Sequence, residues 1–144
     1  MRILLLTLVI GLLGSCEKHD YDSVDPSPYL GEWQWLSSGG SGWGQWSIEH
    51  EPDDEPLILT IAHGGRYSVQ RGEGLLHQGT YKLRLGPSIF NQRDDNVHLE
   101  TESMLLSVES LRLYGVIRID GDSMHITPNM YDAGGSLLSR TSGR

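Results

Sequence analysis

From Leu57 onward, apolar residues recur at every second position in short runs, and most runs stop at a glycine-bearing turn. Side chains two apart share one face of a strand, whereas a helical face needs spacings of three and four. Leu57, Leu59 and Ile61 alternate with Ile58, Thr60 and Ala62, and Tyr67 and Val69 with Ser68 and Gln70. Further on, Tyr81, Leu83 and Leu85 alternate with Thr80, Lys82 and Arg84, and Val97, Leu99 and Thr101 with His98, Glu100 and Glu102. The breaks at His63-Gly64-Gly65-Arg66, Gly72-Glu73-Gly74 and Asp120-Gly121-Asp122-Ser123 have hairpin-turn chemistry. No helical repeat is sustained anywhere in the chain beyond the N-terminal leader. The pattern predicts an all-β, antiparallel up-and-down barrel of about eight strands, a closure that removes exposed sheet edges.

The first of these strands is expected over Tyr29–Ser38 and carries Gly31-Glu32-Trp33-Gln34-Trp35. Its spacing turns Trp33 and Trp35 to one face and Glu32 and Gln34 to the other. Burying one Trp is worth on the order of 4–6 kcal/mol gross. A permissive loop, Ser37–Gly44, follows, with Trp43 and Trp46 on or beside it. Prolines 52 and 56 make the acidic stretch from Ser47 to Pro56 irregular. Leu75–Leu85 and Leu111–Ile119 read as strands, Met104–Ser110 as either a short helical turn or a strand, and Ser136–Thr141 as the last strand. Phe90 is the only phenylalanine, so Trp, Tyr, Leu, Ile and Val must build the core.

The N-terminus has a different grammar. Arg2 precedes an apolar run, Ile3–Leu13, and small residues Gly14 and Ser15 lead to Cys16. A run of about eleven residues is too short to span a bilayer as a helix but suits the core of a secretory signal. Cys16 is the only cysteine, which excludes an internal disulfide. Leu13-Gly14-Ser15-Cys16 resembles the bacterial lipobox. That resemblance implies cleavage between Ser15 and Cys16 and a diacylglyceryl group on the Cys16 thiol, which with further acylation anchors the chain stably. The expected divisions are a signal peptide over 1–15, a tether over 16–28 and one domain over 29–144. Loss of Arg2 takes the formal charge from −8 to −9. Such a balance excludes nucleic acid as a partner and leaves the lipid, not the protein surface, to hold the membrane.

The order of features also resembles the lipocalin-like domain of small bacterial lipoproteins. The shared pieces are Gly31-x-Trp33, the Gly39-Gly40 loop, Glu51-Pro52, Leu59 to Tyr67, Gly79-Thr80-Tyr81, Ile119 to Met124 and a last strand ending at Arg140. The resemblance implies that Trp33 packs across the closed end of the barrel under Arg140, making Gly31, Trp33 and Arg140 a structural keystone. It also implies a place in the cell envelope, at the outer membrane, on its periplasmic or surface side.

The titratable residues nominate no catalysis. Gly-x-Ser-x-Gly, a phosphate loop and close zinc-binding His spacings are all missing. His98, Glu100 and Glu102 would share one outer face, and Asp120 and Asp122 are turn residues, so no metal, cofactor or catalytic residue is expected. Trp43, Trp46 and Tyr131 remain as candidate ligand-binding residues at the barrel mouth, where they could stack on a small apolar or amphipathic molecule or simply plug the opening. Two functions are therefore open: a non-catalytic, lipid-anchored binder of a small hydrophobic ligand, or an accessory envelope protein with a filled barrel that works through protein contacts.

Overall fold

The computed structural model describes residues 24–40, 46–51, 54–103 and 106–141. The leader, the Ser15–Cys16 junction, most of the tether and Trp43 lie outside the described residues. A 3-10 turn, Ser27–Tyr29, leads into β1 (Gly31–Gly40), β2 (Trp46–Glu49), β3 (Leu57–Ala62), β4 (Arg66–Arg71), β5 (Gly74–Gly86) and β6 (Asn96–Thr101). Then come β7 (Ser107–Val108), β8 (Leu111–Arg112), β9 (Gly115–Asp120), β10 (Ser123–Thr127) and β11 (Gly135–Arg140). Strands β1, β3, β4, β5, β6, β9, β10 and β11 pair antiparallel in that order, and β11 returns to β1. The result is the closed eight-stranded up-and-down barrel expected of a lipocalin-like fold. β2 flanks the far half of β1, and β7 and β8 form a separate hairpin.

Four local readings need correction. Tyr29 belongs to the 3-10 turn, not to the first strand. The stretch expected to be irregular from Ser47 holds most of β2, because both prolines lie beyond the paired residues. Ser37–Gly40, expected as loop, continue β1; of the two readings of Met104–Ser110, the strand is the one found, at Ser107–Val108. The expected strand Leu111–Ile119 is two strands, separated at Leu113–Tyr114, and β9 begins at Gly115 with φ of 117°.

Inward positions follow the alternation. Leu57, Leu59 and Ile61 on β3, Tyr67 and Val69 on β4, Tyr81 on β5 and Leu99 on β6 are buried, as are Ile117, Met124, Ile126 and Leu138 on β9 to β11. Trp33 and Trp35 are both inward and buried. A bulge between Trp35 and Ser37 then shifts the register against β11, so Ser38 becomes the next inward residue of β1.

At the end where the chain enters β1, the guanidinium carbon of Arg140 sits 4.1 Å from the centroid of the Trp33 ring. Their backbones are register partners, so strand pairing alone brings them together. The guanidinium also donates to the carbonyls of Leu30 (2.9 Å) and Pro28 (2.8 Å), and the Trp33 indole donates to the Tyr29 carbonyl at 2.8 Å. The segment before β1 is thereby drawn across the barrel end. Gly31 makes this possible: its φ is 116°, and a Cβ there would lie 3.2 Å from the Arg140 guanidinium.

Replacing a fully buried Trp by Ala costs about 3–5 kcal/mol, a large share of the stability of a domain of this size. Trp33→Ala is expected to lower the melting temperature by more than about 10 °C or abolish a cooperative transition. A variant that melts like the parent in differential scanning calorimetry would show that the barrel closes without this ring.

Candidate functional site

An eight-stranded barrel has an interior just wide enough for its own side chains or one small ligand, so what fills it decides what it can do. Here the axis is occupied. Leu111 and Leu113, in and just after the β7–β8 hairpin, are buried, and Leu106 and Val108 pack against the same core. The hairpin stops the mouth at the end to which β1 runs. The enclosed space left between Leu59, Tyr67, Tyr81, Leu99 and Leu113 is about 10 Å³, roughly the room of one water.

A buried polar knot fixes this plug. The Ser38 hydroxyl donates to the Ser110 carbonyl at 2.6 Å and accepts from the Trp35 indole at 3.0 Å. With its proton committed, Ser38 must accept at 2.7 Å from the Ser136 hydroxyl, which in turn accepts from the Arg112 amide at 2.9 Å. The hairpin tip adds an ion pair, Glu109 with Arg71 at the end of β4.

Beside the plug, Glu102 holds a second arrangement. Its Oε1 accepts from the Tyr67 hydroxyl at 2.8 Å and from His77 Nε2 at 2.9 Å. β6 ends at Thr101, so Glu102 does not continue the outer face of His98 and Glu100 as the alternation implied. Its carboxyl instead rolls over Gly79, where a Cβ would come within 2.2 Å of Oε1. Partial burial pushes the Glu102 carboxyl up, but the bonds from His77 and Tyr67 outweigh it and hold the group below its ordinary value. Burial first, then the bond to Glu102 and its charge, push the Tyr67 phenol well above 10. Both partners direct a bond to one oxygen, so the trio braces β4 and β5 against the segment leading to the hairpin. Glu100, on the outer face, pairs with Arg84 at 3.0 Å.

A sizeable concavity that combines an exposed aromatic ring with ionisable groups lies on the outer wall. Residues 87–95, between β5 and β6, fold back over the outward faces of β9 and β10 and enclose a groove of about 390 Å³. Phe90 and Val116 supply apolar surface, Arg118 and His125 the ionisable groups, and Asn91 and Asn96 the amides. A wider, more open depression of about 510 Å³ over β3 to β5 is lined by Arg66 and Tyr67 together with Thr60, Ser68, Gln78 and Thr80. The loop over the groove is held from both sides. Ser88 N–H donates to the Arg93 carbonyl (3.2 Å) and Gln92 N–H to the Ser88 carbonyl (2.8 Å). Asn129, after β10, accepts from Ile89 N–H at 2.9 Å and donates to the Pro87 carbonyl at 3.0 Å.

The residues singled out as ligand-binding do not converge. Trp43 lies outside the described residues, Trp46 opens β2 with its backbone paired to Gly40, and Tyr131 is 84% exposed on the β10–β11 loop, where it plugs nothing. Of the keystone, Gly31, Trp33 and Arg140 meet as described above. Among the described residues, no three His, Cys, Asp or Glu side chains are grouped to hold a metal ion, and no helix is long and apolar enough to cross a membrane. The sequence signal for Glu102 was available in Gly79, a glycine opposite Tyr67 in mid-strand. For the outer groove there was none, since it depends on where residues 87–95 fold. No protein family, no curated protein and no solved structure matches this chain.

The pH response follows from the Glu102 shift. A carboxyl held low in the folded state adds stability that is present above its unfolded value, near 4.3, and is lost as pH falls through the folded value. Glu102→Gln should melt below the parent at pH 7, with the gap narrowing as pH drops from about 5 to 3. A gap that stays constant over that range would detach Glu102 from acid stability.

Proposed function

We propose that this chain is a lipid-anchored lipoprotein of the bacterial cell envelope whose lipocalin-like barrel is a solid scaffold, acting without catalysis through its outer surface on a protein partner. The filled interior carries this reading. A small-molecule pocket usually occupies about 300–1,000 Å³, whereas the barrel keeps about 10 Å³ and its mouth is stopped by the β7–β8 hairpin. The leader supports the anchoring: Arg2, the apolar run and Gly14-Ser15-Cys16 come in the order a lipobox requires. The exposed large apolar side chains also favour the outer wall, since Phe90, Met130 and Tyr131 stand on two neighbouring loops tied together by Asn129.

Two measurements test it. A fluorescent fatty-acid analogue titrated into the full chain is expected to show no saturable one-to-one binding and no rise in melting temperature. Saturable binding that perturbs the inward Leu99 and Met124 would return the protein to the ligand carriers. Metabolic labelling with a palmitate analogue is expected to mark the chain and to be lost, together with membrane association, in Cys16→Ser. Label retained in that variant would remove the anchor at this residue.

A further inference from the structure

The groove under residues 87–95 is built like a receptor for a negatively charged partner. The chain carries a formal charge of −8, yet both ionisable residues lining this groove, Arg118 and His125, are potential cations and no carboxylate lines it. They are register partners on β9 and β10, so they stand side by side on a rigid wall. Neither has an ion-pair partner among the described residues, whereas Arg71, Arg84 and Arg93 are paired with Glu109, Glu100 and Asp95. The groove amides are engaged with the loop itself: Asn91 and Asn96 exchange reciprocal bonds at 3.0 Å, and Asn96 also donates to the Arg93 carbonyl at 2.6 Å. Arg118 and His125 are thus the groups left to meet a ligand's charge, and an anion is what complements them.

The apolar part says what carries that anion. Phe90, the chain's single phenylalanine, is 57% exposed on a loop already fixed by hydrogen bonds at both flanks. A preordered loop presenting an aromatic ring loses little conformational entropy when the ring is covered. Asn129 ties this loop to the one that bears the exposed Met130 and Tyr131. A free small carboxylate would meet the two basic groups and leave the exposed Phe90 ring bare, whereas a chain segment with an apolar neighbour to its carboxylate would cover both.

We propose that this groove docks an extended acidic segment of a partner protein, with an Asp or Glu carboxylate between Arg118 and His125 and an adjoining aliphatic side chain against Phe90. The inference rests on the outer-surface reading above and names the partner chemistry for it.

The probe is a capped pentapeptide, acetyl-Leu-Glu-Leu-Glu-Leu-amide, titrated into the full chain by nuclear magnetic resonance. Its Gln counterpart and sodium propionate serve as comparisons. The acidic peptide is expected to shift the Phe90 ring and His125 signals, and the Gln peptide to bind at least about tenfold more weakly. Arg118→Gln should weaken the acidic peptide by a similar factor with unchanged melting, while Arg66→Gln on β4, across the barrel from β10, should leave it unaffected. Equal binding of the two peptides, no binding at millimolar concentration, or indifference to Arg118→Gln would each overturn the proposal. Propionate binding as tightly as the peptide would give the groove to small carboxylates instead. Shifts elsewhere on the outer wall would dismiss this groove but keep the outer-surface reading, whereas shifts confined to inward Leu99, Met124 and Leu138 would dismiss both.

Discussion

Arg140 lies over the Trp33 ring at one end of the ladder that closes the barrel. β1 and β11 are the first and last strands of the meander, so their pairing converts an open sheet into a barrel. Trp33 is fully buried, and the cation over its ring adds about 1–2 kcal/mol where partly desolvated. The guanidinium then spends its fork on the Pro28 and Leu30 carbonyls, while the indole N–H takes that of Tyr29. One arginine and one tryptophan therefore join the two terminal strands and also satisfy backbone carbonyls of the segment that lids this end.

Solid filling at the opposite end has a different cause. The β7–β8 hairpin brings leucines to the core but also brings polar backbone that must be satisfied there. The bulge after Trp35 turns Ser38 inward, and its hydroxyl takes the Ser110 carbonyl while accepting from Trp35 and Ser136. Without that half-register shift, the position would face outward and Ser110 would lose its donor. The Glu102 brace and the Glu109–Arg71 pair hold the same hairpin from the β4 side. A plug anchored at so many points leaves the outer wall as the surface free to recognise something.

How legible this was depended on the range of each interaction. The Leu57–Ile61 alternation and the turn at Asp120–Ser123 could be read because each follows from strand parity or local turn chemistry, whereas the meeting of Trp33 with Arg140 was implied only by the resemblance in the order of motifs. Glu102 was misassigned by the same parity, because its strand stops one residue earlier and the chain turns over Gly79. Trp46 and Tyr131 drew notice as aromatics near loops, yet exposure marks Tyr131 as surface, and the exposed ring that lines the outer groove beside Arg118 and His125 is Phe90. Nothing local distinguishes Phe90 from a core residue, since its position depends on bonds from Asn129, distant in sequence.

The amino-acid sequence by itself determined the fold class and the inward face of each long strand. Those follow from a period of two and from glycine turns, which are properties of neighbours in the chain. Tertiary structure alone decided that the barrel is filled rather than hollow, and that the groove lined by Phe90, Arg118 and His125 lies on its outside. Both outcomes turn on where two segments outside the barrel wall, the β7–β8 hairpin and residues 87–95, come to rest. Their resting places are set by hydrogen bonds to residues far along the chain, and no periodicity encodes such bonds.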